Sequence, residues 1–346
     1  MADFVAPQIL KNKYKLVGLI GGGTFGQVML YELNQEYYAV KFFIRERSSQ
    51  DYTYEKVMMK KLLKIKKRNN PQDQSCQIPE LIDDGMIESN YRNKGTVQFL
   101  IMQYIEYSTY EYLSSYPDKE KDLFVEMVIQ LREFHKLGYI HKDIKPDNFR
   151  VNREGKVFFI DFGTTNKFNP NLTATKEGRI NIESSFTASK FVNAGAYAMQ
   201  IDELISVLYS MILIKEPSGI EWENNGFYVQ LDQEQKTAII DAKNNFDLSR
   251  FRQKICQKAG QLIKKLENIR ENDIDIQHSI NPDYDQVINE IKQVYSKIPI
   301  ENRQQYQQRQ QLPEFQNLEL QEINRGRERD GFFAALGRFF RIILGM

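Results

Sequence analysis

The sequence predicts an α+β fold in two lobes: a small β-rich lobe with one key helix, then a larger, mainly helical lobe, with a cleft between them. Three observations carry this reading. Strand-like runs broken by glycines occupy residues 14–46. Apolar residues at helical spacing dominate from residue 109 onward. No segment recurs at a fixed period, which argues against a solenoid or an array.

Along the chain, a short extension at 1–13 precedes YKLVGLI, QVMLYEL and YYAVKFFI, runs rich in β-branched and aromatic residues that read as strands. Residues 51–68 read as one helix with Val57, Met58, Leu62, Leu63 and Ile65 toward the core. Its run KKLLKIKKR is first of all a solvated face, with phosphate binding as the minority alternative. A loop with Pro71 and Pro79 leads to the strand candidates ELIDDGMIE and TVQFLIMQYI. YEYLSSY and KDLFVEMVIQLREFHKLG follow as helices, the second closed by Gly138 as a left-handed cap. Residues 301–330 are rich in Gln and charge and read as a linker or exposed helix. The tail GFFAALGRFFRIILGM, 331–346, sets Phe332, Phe333, Leu336, Phe339, Phe340, Ile343 and Leu344 at helical spacing, with Arg338 and Arg341 toward the other side. Such a helix packs on its own lobe or on a protein partner, or lies on a membrane surface.

Composition narrows the function classes. The chain has 346 residues, 41% of them hydrophobic, enough for one large core or two lobes. Lys and Arg number 47 against 46 Asp and Glu, a net charge of +1, so no global field favours nucleic acid. The two cysteines, Cys76 and Cys256, lack metal-ligand spacing; neither a disulfide scaffold nor a zinc site is expected. This usage suits a reducing intracellular compartment, the cytoplasm first. MADFVAPQIL does not have the pattern of a signal peptide, and no run of eighteen apolar residues suggests a membrane span.

Four stretches carry chemistry. Residues 20–28 contain GxGxxGxV, with Gly21, Gly23, Gly26 and Val28. Glycines let a backbone approach phosphates closely. Strand runs flank this loop on both sides, whereas a dinucleotide fold puts a helix directly after the third glycine. In Tyr38-Ala39-Val40-Lys41 a lysine ends an apolar strand and needs a partner, and Glu55 lies fourteen residues on in the predicted helix. In HKDIKPDNF, Asp143 could accept a hydroxyl proton, Lys145 could steady a phosphoryl group and Asn148 could ligate a metal. Asp161 ends the apolar run of FFIDFG and offers a second hard oxygen of the kind magnesium prefers. Each Asp alone reads more simply as a cap or Asx-turn; the four together, in this order, do not.

GGGTFGQV, AVK, Glu55, HKDIKPDNF and DFG resemble a eukaryotic protein kinase over residues 14–300. The resemblance implies a bilobal kinase fold, N-lobe 14–105 and C-lobe 106–300, and the roles those motifs play in phosphoryl transfer. ATP would sit under Gly21, Gly23 and Gly26, against Val28 and Ala39, with Lys41 on its phosphates paired to Glu55. Met102 would be the gatekeeper, and Gln103, Tyr104 and Ile105 the hinge. Asp143 would be the catalytic base, Lys145 the phosphate contact, and Asn148 and Asp161 the ligands of Mg²⁺. The acceptor would be a Ser or Thr of a protein substrate. DIKPDNF, the lack of Ala-Pro-Glu after DFG, and the echoes Ile78-Pro79, Ile220-Glu221-Trp222 and Pro282-Asp283-Tyr284 are similar to the casein kinase I group.

Departures from the family mark a divergent member. Lys142 stands where most kinases have Arg, exchanging a fork for a point charge. The family threonine that supports the catalytic Asp and Lys corresponds to Thr175 in NLTAT or is replaced by Arg179 in GRINIESSF. Glu203 takes the place of the family Asp that anchors the catalytic loop. His135 and His141 read as structural. The alternative to an active kinase is a pseudokinase serving as a binding module.

Overall fold

The computed structural model describes residues 4–23, 26–44, 48–69, 76–89, 91, 95–170, 186–220, 222, 233–273 and 276–296. Residues 1–297 form one compact unit. The second unit, 298–346, holds the Gln-rich segment and the apolar tail, and lies outside the described residues.

The small lobe is one antiparallel sheet of β1 (Ile9–Leu10), β2 (Tyr14–Gly23), β3 (Gly26–Leu33), β4 (Glu36–Phe43), β5 (Leu81–Ser89) and β6 (Gly95–Gln103), in the order β1-β2-β3-β4-β6-β5. Alternation along β4 explains its two faces. Val40 and Phe42 point one way and join Tyr31, Val97, Phe99 and Ile101 in an apolar cluster. Lys41 and Phe43 point the other way, and Phe43 joins the cluster that contains Met58, Met59 and Leu62 of α1 (Ser48–Asn69). The extension does not lead away from the lobe: Phe4, Ala6 and Leu10 are buried in it, β1 pairs with β2, and Tyr31 donates to the Pro7 carbonyl at 2.7 Å.

Helix α1 buries Glu55, Met58, Met59 and Leu62, the i, i+3, i+4, i+7 stripe. This corrects one expected core position. Val57 stands off the stripe and is 44% exposed, while the buried neighbour is Met59.

The larger lobe follows through β7 (Tyr107–Ser108), α2 (Thr109–Ser115), α3 (Glu120–Lys136), β8 (Tyr139–Ile140), β9 (Phe149–Val151), β10 (Val157–Phe159) and β11 (Asn166–Lys167). Then come α4 (Lys190–Asn193), α5 (Gln200–Lys215), α6 (Gln233–Asn244), α7 (Lys254–Asn272), α8 (Gln277–Ile280) and α9 (Tyr284–Ser296). A reciprocal capping box between Ser108 and Glu111 starts α2. Gly138 adopts φ +82° and closes α3 by donating to the His135 carbonyl. Every residue of α5 from Ile201 to Leu213 is buried, its two acids and two serines included, and it packs against α3 and α7.

Gly26 shows how tightly the glycine-rich hairpin is built. A Cβ there would lie 1.8 Å from the Phe42 carbonyl oxygen, a backbone atom that cannot swing aside. Gly26→Ala should therefore lower stability by about 3 kcal/mol through overpacking, read as a lower denaturation midpoint in thermal or urea melts.

Candidate active site

β4 and α1 bring Lys41 and Glu55 together, and the turn after β10 adds Asp161. Lys41 Nζ lies 2.7 Å from Glu55 Oε2 and 3.0 Å from Asp161 Oδ1. Lys41 is 5% exposed and Glu55 1%. Burial would lower the lysine pKa, but the two carboxylates outweigh it and hold the ammonium above its usual range. Burial raises Asp161, yet Lys41 pulls it below the ordinary carboxylate range. Asp161 adopts φ +62°, and its Oδ1 also accepts the Gly163 N–H at 3.3 Å.

The loop between β8 and β9 carries the remaining polar groups. Asp143, 1% exposed, has Lys145 Nζ at 3.0 Å from its Oδ2. Asn148 Nδ2 donates to the Asp143 carbonyl at 2.8 Å and to Oδ2 at 2.7 Å. Asp143 Oδ1 is buried and has no hydrogen-bond partner among the described residues. Its lone pairs therefore remain available to accept a proton. A 3₁₀ turn, Pro146–Asn148, sets Asn148, and the Ile160 N–H donates to its carbonyl. His141 bonds the Ile160 carbonyl through Nε2 at 3.0 Å, and desolvation lowers its pKa, so it stays neutral and structural.

Glu203, on the buried first turn of α5, holds this loop. Its carboxylate accepts the His141 N–H at 3.1 Å, the Lys142 N–H at 2.5 Å and His135 Nε2 at 2.7 Å. His135 Nδ1 meets the Tyr284 hydroxyl at 2.5 Å. Burial opposes ionisation of Glu203, but His135 and the backbone donors bring its pKa below the usual range.

The other expected nucleotide-binding residues line up in the sheet register. Val28 sits between Gly21 and Lys41, and Ala39 is opposite Met102. After β6, the Gln103 N–H donates to the Glu80 carbonyl, and Ile105 is buried with its carbonyl held by Arg150. Gly23 ends β2; Thr24 and Phe25 of the loop lie outside the described residues.

A divalent cation fits this donor set. The Asn148 nitrogen is spent on Asp143, which leaves the amide oxygen, and Asp161 supplies a carboxylate. Among the described residues no group of three or more His, Cys, Asp or Glu forms a cage. Two hard oxygens with phosphate and water completing the shell is the arrangement magnesium favours. The basic run of α1 contributes nothing here: Lys60, Lys64, Lys67 and Arg68 border a separate surface cavity of about 360 Å³.

Several residues that position the site carried no local signal. Thr187 donates from Oγ1 to the Ile144 carbonyl at 2.5 Å; Thr175 and Arg179, the two sequence candidates for a supporting residue, lie outside the described residues. Ser189 donates to Asp202 Oδ1 at 2.6 Å, and Arg270 faces Asp202 Oδ2 at 3.4 Å. Lys243 is buried, donates to the Ala188 carbonyl and Asn193 Oδ1, and sits 5.0 and 5.4 Å from the Tyr209 and Trp222 ring centres. In sequence it was one more helix lysine.

The family model of the protein kinase domain matches residues 14–273. Citron Rho-interacting kinase of Mus musculus is 24% identical over 178 residues, 47% of this chain and 8% of that protein. A Dictyostelium discoideum protein named as a "probable serine/threonine-protein kinase" is 31% identical over 170 residues, 45% of this chain and 22% of that protein. The chain thus spans less than a quarter of the length of either relative. The solved structure of vaccinia related kinase 3 aligns with a TM-score of 0.55 at 14% identity, over 82% of this chain and 87% of that one, which shows a shared fold.

Removing the Glu203 carboxylate would strand two backbone donors and a buried imidazole. Glu203→Ala should cost about 3 kcal/mol, since each buried donor left unsatisfied costs about 1–3 kcal/mol, measured by chemical denaturation.

Proposed function

The chain belongs to the protein kinase family, and we propose that it is an active ATP-dependent serine/threonine kinase that phosphorylates a protein hydroxyl. One observation carries the reading: Lys41 bridges Glu55 and Asp161 while Asp143, Lys145 and Asn148 are in mutual contact. A chain that only binds partners needs no such alignment. The curated relatives named as kinases support the Ser/Thr assignment, as does Lys145 two residues after the base. The finer placement beside the casein kinase I group rests on DIKPDNF and on Trp222 and Tyr284, both buried in the larger lobe. Cys76 and Cys256, both buried and neither in a disulfide, suit a reducing intracellular setting.

In this mechanism Lys41, kept charged by its two carboxylates, holds and orients nucleotide phosphates. Asn148 and Asp161 would hold Mg²⁺, which would supply neutralisation of phosphate charge. Asp143 Oδ1 takes the proton of the attacking hydroxyl as its oxygen bonds to the γ-phosphorus and the bond to ADP breaks. Lys145, already beside the Asp143 carboxylate, offsets charge on the transferring group. Asn148 occupies Oδ2, which leaves Oδ1 as the carboxylate oxygen with free acceptor capacity.

Lys41→Met and Asp161→Asn should each lower Mg-dependent phosphate transfer to a protein substrate at least about a hundredfold, while both variants keep a cooperative thermal melt. Wild-type turnover in either variant would refute the assignment. ATP binding without transfer by the unaltered chain would favour a binding module instead.

A further inference from the structure

Lys142 departs from the family, and the structure gives it a different task. Its backbone is left-handed, φ +69°, and its N–H is spent on Glu203. Its side chain runs toward Asn166 in β11, the strand that pairs with β8 just before the catalytic loop. On the far side of Asn166 stands Tyr54 of α1, the residue before Glu55.

The hydrogen-bond directions follow from proton counting. Tyr54 has one hydroxyl proton, and the Thr165 carbonyl takes it at 2.6 Å. The Asn166 amide atom 2.5 Å from the same oxygen must therefore be a donor, its nitrogen. That orientation turns the amide oxygen to Lys142 Nζ at 3.2 Å. The connection is continuous: Lys142 donates to Asn166, Asn166 donates to Tyr54, and Tyr54 donates to the segment after Gly163. Thr164 reinforces it by donating to the His141 carbonyl at 2.8 Å.

We propose that Lys142, Asn166 and Tyr54 form a hydrogen-bond relay that ties the catalytic loop to α1 and keeps Glu55 on Lys41. A lysine suits this task because an amide oxygen offers a single acceptor, for which a point-charge donor suffices and an arginine fork is not needed. Tyr54 and Lys142 are positioning residues; neither touches the reacting atoms. The kinetic consequence rests on the kinase reading above, but the structural consequence does not.

The full chain tests it, with Tyr54→Phe, Lys142→Met and their double variant. Each single change should lower kcat about five- to thirtyfold, the loss expected from one or two kcal/mol of hydrogen bonding. KM for the protein substrate should stay put, and the double variant should be no worse than either single one. Lys142→Arg, which keeps a donor, should recover most of the Lys142→Met loss. Amide hydrogen exchange should quicken across α1 in Tyr54→Phe and stay unchanged in α7. Multiplying effects in the double variant, or unchanged exchange in α1, would each overturn the relay. If the unaltered chain transfers no phosphate, the kinase reading falls and hydrogen exchange alone decides the relay.

Discussion

Two adjacent carboxylates on the first turn of α5 set the geometry of everything around them. Asp202 and Glu203 lie in a helix otherwise surrounded by apolar side chains, where an ionised group is tolerated only if donors surround it. One helical step separates them by about 100°, so they recruit donors from different directions. Asp202 collects Ser189, the Met199 N–H and Arg270. Glu203 collects His135 and the backbone of His141 and Lys142. The need to satisfy two buried acids thus fixes both the catalytic loop and the segment leading into α5. Asp143 is placed by the second acid without touching it.

The Lys41, Glu55 and Asp161 cluster obeys the same physics with a different outcome. A buried ion pair is weak evidence of stability, since desolvation offsets much of the attraction. What it supplies is arrangement: a charged ammonium held between two acids before any phosphate arrives, so little reorganisation is left for the reaction. The unpartnered Asp143 Oδ1 is the complementary case, an unmet demand kept in place by Asn148 on its sister oxygen.

Much of this was legible in the chain because the informative signals are local. Period-two alternation in β4 put Lys41 on the face of Phe43, and the spacing to Glu55 spanned one strand and the start of one helix. HKDIKPDNF and DFG each close their own turn, so short-range sequence defines them. Val57 was misplaced because a window of apolar residues does not say where a stripe is centred; burial of the charged Glu55 shifted it to Met58, Met59 and Leu62. The burial of the extension in the small lobe carried no sequence signal, because its strand has two residues, too few for a periodic pattern. Thr187, Lys243 and Arg270 act through partners 43 to 68 residues away, at distances where no pattern in the sequence connects them.

Lys142 and Asp161 are two of the seven described non-glycine residues with a left-handed backbone. Each forgoes about 1–2 kcal/mol that glycine would not. Selection for heat resistance alone would favour relaxing those two backbones, and glycine does so most readily. It would also delete a carboxylate at one position and an ammonium at the other. Laboratory evolution of this chain toward ruggedness would therefore drift toward slower variants unless turnover were screened in parallel, a stability–activity trade-off written into two dihedral angles.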